Sequence, residues 1–420
     1  MKNLRGSALI YFVLLFLLVF LTACAEGTVS DSESAESEEG TQEEGANAGE
    51  EEDVDVTTGE GTPVTIGYSG PLSGPAAYYG ENTLSGLELA AKEINEEGGF
   101  EIDGEKYEID LKVLDDQYLP DETGSNAKRL VQEDDASIIY SPHSGGIYAM
   151  QVFNEDMDFL IAAYTSEPGV TDNDNSLTMR IPPRYDGYIE PFTEYEMDRF
   201  GDKIAFLPTS TQYGKDWAEM LKPVWEEKGG EIVYETSIDF NKETDFFTIL
   251  SNALQNDPDV MFVGGPSEPT AKVIKQAREQ GFEGGFIVMD QAKLDEMAAV
   301  YDGEYDIFEG SVGVLPLRES DFPGTDQFIE TYQSEYDKMP GSEAGFHYVS
   351  LYILVEAMKA AGTVEDTGAI RDHIEDGIHA LPEEKQVYTI GGIDDWGGFT
   401  SEYRLGVVED GTVEEIVIEE

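Results

Sequence analysis

The chain has 420 residues, of which 88 are Asp or Glu and only 25 are Lys or Arg, giving a formal net charge of −63. So acidic a body repels a nucleic-acid backbone and an anionic membrane surface, which excludes electrostatic attachment to either. Its 40% hydrophobic and 11% aromatic content is nevertheless too high for a disordered acidic chain, and its length predicts two or three domains with ordinary cores.

Met1–Arg5 supply a short positive region, and Ala8–Leu21 an apolar run of fourteen residues. A membrane-spanning helix needs roughly 20, so residues 1–23 read as an export signal instead. The chain's one cysteine, Cys24, sits where such a signal is cleaved. A single cysteine permits neither an intrachain disulfide nor a thiolate metal cage. Leu21-Thr22-Ala23-Cys24 resembles a bacterial lipobox, which implies lipidation of Cys24 and attachment to the cell membrane through acyl chains rather than charge. Residues 24–62 hold fourteen carboxylates and no Lys or Arg, and read as a disordered acidic tether. Most of the net charge therefore belongs to the residues beyond. It reads as a surface solvated in concentrated salt, where the Debye length is only about 3 Å at 1 M and mutual repulsion is screened, with attraction of a cationic ligand and calcium binding as the alternatives.

From Val64 onward, short β-branched and aromatic runs alternate with amphipathic ones. Strands are expected at Val64–Tyr68, Ile109–Leu114, Ser137–Tyr140, Phe159–Ala163, Ile204–Leu207, Glu231–Glu235, Val260–Val263, Phe286–Met289 and Ser311–Leu315. The first helix is marked by Leu84, Leu87, Ala91 and Ile94 at spacings of three and four, and Gly98-Gly99 ends it. Ile102-Asp103-Gly104-Glu105 reads as a turn into the second strand. Further helices are expected over Thr123–Glu133, Gly146–Glu155, Tyr185–Arg199, Gly214–Lys228, Thr244–Gln255, Pro269–Gln280, Thr325–Lys338 and Glu343–Ala361. Repeated strand–helix units predict an α/β fold with parallel-type sheets, and the length predicts two lobes.

Ligands of open α/β sheets bind beyond the carboxyl ends of strands. In a chain that is 27% charged, Val64–Gly80, Ile138–Val152, Phe159–Ser166, Phe206–Gly214 and Val260–Ser267 carry no Asp, Glu, Lys or Arg. Burial explains the strand halves of these segments but not the loops that follow. The loops read as the walls of one neutral cleft, with a packed lobe interface as the alternative. Phe286-Ile-Val-Met289 breaks the pattern by ending in Asp290, a candidate partner for a ligand ammonium group or else a helix cap for the segment beginning at Ala292.

Ser69-Gly-Pro-Leu-Ser-Gly-Pro-Ala-Ala-Tyr-Tyr-Gly80, Gly86, Ala90-Ala-Lys-Glu-Ile-Asn95, Asp103-Gly104, Asp115-Asp116, Gln212-Tyr213-Gly214 and Gly264-Gly265 together resemble the branched-chain amino-acid-binding family of extracellular solute-binding proteins. The resemblance implies a type I periplasmic-binding-protein fold. Lobe 1 would span 63–183 plus 315–398 and lobe 2 would span 184–314 plus 399–420, joined by three crossovers. It also implies an extracytoplasmic, monomeric, membrane-anchored protein that hands a small ligand to an ABC permease. Carried across position by position, the resemblance makes Tyr79 and Tyr213 ligand-facing aromatics. His143-Ser144-Gly145 and Tyr164-Thr165-Ser166 become the carboxylate-gripping loops, and Asp290 the ammonium partner. Pro266 stands where amino-acid binders often carry an aromatic residue, and Gly145 where they carry a hydroxyl. These departures leave amides, urea and aromatic acids open beside α-amino acids.

No nucleophile elbow or phosphate loop is present, and His143, His347, His373 and His379 are scattered, so neither an enzyme nor a metal or cofactor site is expected. The rival reading is a lipoprotein that presents the ligand to a separate signalling receptor.

Overall fold

The computed structural model describes residues 51–52 and 55–416. Cys24 and the export signal lie outside the described residues. A first sheet is built from β1 (Glu51–Glu52), β2 (Thr62–Gly70), β3 (Phe100–Ile102), β4 (Glu105–Asp115), β5 (Ile138–Ser141), β6 (Leu160–Ala163) and β7 (Thr178–Arg180), in the order β1-β4-β2-β5-β6-β7 with β3 also on β4. The pairs β2·β4, β2·β5, β5·β6 and β6·β7 are parallel. A second sheet holds β8 (Lys203–Pro208), β9 (Glu231–Glu235), β10 (Val260–Gly264), β11 (Gly285–Val288) and β12 (Ser311–Val314). A small hairpin, β13 (Gly392–Ile393) and β14 (Phe399–Thr400), precedes β15 (Leu405–Glu409) and β16 (Thr412–Ile416), which return to the second sheet as its antiparallel edge. Its order is β16-β15-β12-β11-β10-β8-β9.

This is the expected α/β architecture, and every expected strand forms within two residues of its expected ends, except that the second begins four residues earlier. The chain passes between the sheets three times: after β7, after β12, and before β15. Between the last two passages the helices Thr325–Tyr336 and Ser342–Ala361 pack against the core of the first sheet, where Val349, Leu351, Ile353, Leu354 and Met358 are buried beside Ile66, Leu87 and Leu111.

Local sequence explains several element ends. The helix Ala77–Glu96 buries Leu84, Leu87, Ala91 and Ile94, and Gly98 and Gly99 follow it at φ 101° and 74°, a region side chains avoid. Gly86 lies where that helix meets the helix Ser342–Ala361; a Cβ there would stand 2.1 Å from the Ala344 carbonyl oxygen. Asp103 and Gly104, both at positive φ, form the tight turn between β3 and β4.

Three expectations fail for identifiable reasons. The helix expected over Gly146–Glu155 is two pieces, Ser144–Gln151 and Asn154–Met157, because Asn154 turns inward to donate to the carbonyls of Phe159 and Leu177. The helix expected from Thr244 begins only at Phe247. The described part of the expected tether is docked on the first sheet. Thr58 and Gly59 donate backbone N–H groups to the buried Glu108 carboxylate, Asn95 Nδ2 donates to the Val56 carbonyl, and β1 pairs with β4. Desolvation works to raise the Glu108 carboxyl, but these two N–H groups, the Thr58 hydroxyl and the Glu60 N–H outweigh it and hold the group below its ordinary pKa. No helix among the described residues is long and apolar enough to cross a membrane.

Candidate functional site

The carboxyl ends of strands from both sheets meet around a cavity holding about 370 Å³ of empty space, part of it open to solvent. Tyr79, His143, Ser144, Tyr164, Thr165 and Ser166 reach it from the first sheet, and Tyr213 and Asp290 from the second. Eight of the ten site residues expected from sequence are thus brought together.

Their positions follow from local chemistry. Tyr79 lies in the first turn of the helix Ala77–Glu96 and donates its phenol to the Pro142 carbonyl at 2.6 Å, fixing one loop against the next. Asp116 is fully buried and ties its own loop to the following helix and to the loop after β5: His143 Nε2 lies at 3.0 Å, Thr123 Oγ1 donates at 2.9 Å and the Tyr118 N–H at 2.9 Å. His143 caps the helix Ser144–Gln151, its Nδ1 accepting from the Gly146 N–H at 3.0 Å. That places the proton on Nε2, which donates to Asp116. Both ring nitrogens are therefore engaged within the protein, and the expected ligand contact reduces to the ring, 4.8 Å from that of Tyr118.

Tyr213 sits near the start of the helix Gln212–Glu227, whose cap Thr211 accepts from the Gly214 N–H. Burial, and then the negative Asp290, push the Tyr213 phenol well above its ordinary pKa, so it remains a donor. It donates to Asp290 Oδ1, which also receives Trp217 Nε1 at 3.0 Å. Asp290 is not a helix cap: the helix Leu294–Ala299 starts four residues later, with Lys293 at the cap position. Two polar contacts close the cleft from opposite walls. Ser166 Oγ lies 2.8 Å from the Tyr213 hydroxyl, and Gln291 Nε2 donates to the Tyr118 hydroxyl at 2.7 Å.

Two expected residues do not line this cavity. Gly145 faces Pro120, whose Cγ would stand 2.9 Å from a Cβ at that position; Ser144 beside it takes the place on the cavity wall. Pro266, the residue before the helix Ser267–Glu279, lines a separate hollow with Thr209, Thr211, Asp239 and Phe240.

The sequence reading also missed residues. Tyr118, Pro142, Pro182, Gln291 and Lys293 complete the lining. Lys293 qualifies the neutral-cleft expectation, since it places an ammonium group on the wall. The available signal was a lysine three residues after a strand-end aspartate in a chain poor in cations. Behind Ser166, Glu167 is buried with Oε2 unpartnered while Oε1 accepts from the Gly169 N–H, and burial raises its carboxyl to about 7.

Known proteins share this architecture. The family model described as periplasmic binding protein matches residues 63–411. The Leu/Ile/Val-binding protein homolog 1 of Brucella suis is 27% identical over 302 residues, covering 71% of this chain and 79% of that protein. Among solved structures, the leucine-binding protein LivK of Thermotoga maritima superposes with a TM-score of 0.71 at 21% identity, covering 84% of this chain and 98% of that one. The branched-chain amino acid transporter substrate-binding protein LivJ of Streptococcus pneumoniae, solved with isoleucine, gives 0.70 at 21% identity, with 85% and 99% covered. With the family model matching most of its length and both sheets converging on one inter-sheet cavity, the chain belongs to the periplasmic binding protein family and is a solute-binding protein.

Proposed function

We propose that this chain is the extracytoplasmic capture component of an ABC importer. Its two lobes, 63–183 plus 315–398 and 184–314 plus 399–420, close on a small amino acid or a related amide and present it to a membrane permease. Lipid on Cys24 would hold the protein at the membrane. The observation that carries the reading is the cavity between the sheets, closed over by the Ser166–Tyr213 and Tyr118–Gln291 contacts. A ligand favours closure only through contacts made in the closed state, and these loops supply them.

In this reading Tyr79, Tyr164 and Tyr213 form the aromatic walls. Ser144 and Thr165, with the N-terminus of the helix Ser144–Gln151, receive the ligand carboxylate. Asp290 receives an ammonium group through Oδ2, since Tyr213 and Trp217 occupy Oδ1. The capture role of Leu/Ile/Val-binding relatives and of the isoleucine-bound LivJ points to the same ligand chemistry. Isothermal titration of the full chain with a panel of amino acids and amides tests it. At least one zwitterion is expected to bind, and Asp290→Asn to weaken it about tenfold or more. A panel with no binder, or an Asp290→Asn variant of unchanged affinity, refutes the assignment.

A further inference from the structure

A second cavity of about 560 Å³ adjoins the first, and Tyr164, Pro182, Asp290 and Lys293 line both. Beyond that junction four aromatic rings share its walls with aliphatic residues, three serines and the Glu402 and Arg404 side chains. Tyr188, Phe322, Phe346 and Tyr388 contribute, with the Phe346 and Tyr388 rings stacked at 3.8 Å and Leu315 alongside. The junction carries Asp290 and Lys293; of the charged residues farther out, Arg404 is already paired with Asp321 and Glu415.

Of the lysines and arginines among the described residues, only Arg180 and Lys293 are buried. Arg180 has its counter-ion, the Asp394 carboxylate at 3.0 Å. Lys293 is 5% exposed, and its ammonium donates to the backbone carbonyl of Asp290 in its own turn. No carboxylate among the described residues lies within ion-pair distance of it. Glu296, one turn on, accepts instead from Asn82 and Ser267, and Asp290 Oδ1 is taken by Tyr213 and Trp217. A buried ammonium without an anion is costly, and proteins retain one where a ligand completes it.

We infer that Lys293 is the counter-ion of the ligand's carboxylate, adding its charge to the Ser144 and Thr165 hydroxyls assigned to that group above, and that the second cavity receives a large apolar side chain, so that the cargo is an α-amino acid with an aromatic or similarly bulky side chain rather than an amide. The inference rests on the amino-acid-capture reading above and chooses within it. Asp290 and Lys293, three residues apart on one loop, then meet the two charges of the zwitterion. The ring leaves them toward Tyr188, Phe346 and Tyr388. A small amino acid leaves that cavity unfilled and forgoes its burial. A neutral amide leaves Lys293 unpaired.

Titration of the full chain with phenylalanine, phenylalaninamide, leucine and alanine tests this in wild type, Lys293→Met and Lys293→Arg. Wild type is expected to bind phenylalanine about tenfold or more tighter than either phenylalaninamide or alanine. Lys293→Met should remove about tenfold or more from phenylalanine affinity and less than about threefold from phenylalaninamide affinity, with Lys293→Arg recovering part of the difference. A residue that only braced the Asp290 turn would weaken both ligands alike. Wild type that fails to distinguish acid from amide, or a Met variant that still does, overturns the inference. Leucine binding as tight as phenylalanine and indifferent to Lys293 overturns it while leaving amino-acid capture standing; binding of no amino acid overturns both. If Lys293→Met does not fold, Lys293→Gln replaces it, and the wild-type comparison of acid with amide is decisive without either variant.

Discussion

Replacing Glu343 by Gln should stabilise this protein, and increasingly so as the pH rises. Glu343 opens the helix Ser342–Ala361 on the first sheet's side, and Glu296 lies in the helix Leu294–Ala299 on the second's. A Cβ at Gly341 would stand 2.1 Å from Glu296 Oε1 and 2.5 Å from Glu343 Oε2, so the two oxygens lie within 4.6 Å of each other. Glu296 accepts from Asn82 Nδ2 at 3.1 Å and Ser267 Oγ at 2.6 Å, whereas both Glu343 oxygens are buried without a donor. Two full charges at that separation repel by about 4 kcal/mol at an effective dielectric of about 20. Burial first, then Glu343 and Asp295, raise the Glu296 carboxyl well above its ordinary 4.5, with Lys293 opposing. Tyr78, Tyr79, Tyr164, Tyr332 and Tyr388 also feel the Glu343 charge, and burial keeps all five as neutral phenols at physiological pH. Glu296 therefore retains a proton that it releases in the unfolded chain. Stability from this proton is complete below 4.5 and is lost as the pH rises through the elevated folded value. The amide introduced by Glu343→Gln carries no charge and offers an N–H to Glu296. We expect the variant to gain about 3 kcal/mol over wild type at pH 8 and under about 1 kcal/mol at pH 4.5. Urea unfolding of both chains across that range, in 2 M salt to screen the surface, measures the difference. A gain that does not grow with pH would show that Glu296 retains no such proton.

Glu167, raised to about 7 by burial, should act in the same direction. Its contribution is present below 4.5 and lost between 4.5 and 7, so Glu167→Gln should gain about 3 kcal/mol at pH 8, read from the same unfolding curves. His143→Ala removes a helix cap and one donor to Asp116, and should cost about 2 kcal/mol of stability by urea unfolding. His143→Asn, which keeps a cap, should recover about half of that loss. The melting temperature of the full chain should rise between 0.05 and 2 M salt as its surplus carboxylates are screened; an unchanged value refutes the salt-adapted reading of its surface.

The fold was legible because its signals are periodic. Val260–Val263 is a continuous apolar run, as a strand covered on both faces must be, Val64, Ile66 and Tyr68 recur at every second position, and Leu84, Leu87, Ala91 and Ile94 mark one helical stripe. Short elements defeated that reading. Thr178–Arg180 is three residues long, and Thr367–Asp372 and Ile374–Ala380 are too brief to show a period. The tether expectation failed for a different reason. Residues 55–62 lack large apolar side chains, yet they are held by backbone donors to Glu108 and a carbonyl bonded by Asn95, and no composition count registers main-chain hydrogen bonds.

Within the cleft, legibility divided along the same line. The loops betrayed themselves by lacking charge in an acidic chain, and the family resemblance then singled out Tyr79, Tyr164 and Tyr213 within them. The roles inside the loops depended on which atoms were already engaged. His143 looks like a ligand contact until its two nitrogens are found bonded to Gly146 and Asp116. Asp290 looks like a bare charge until Tyr213 and Trp217 are found on one oxygen. Lys293 inverts the case: five residues past a strand end it reads as an ordinary polar loop residue, and only its burial without a carboxylate sets it apart. Charge avoidance therefore marked the loops that line the cavity between the sheets, and the charged groups on its wall are what the proposed ligand would have to match.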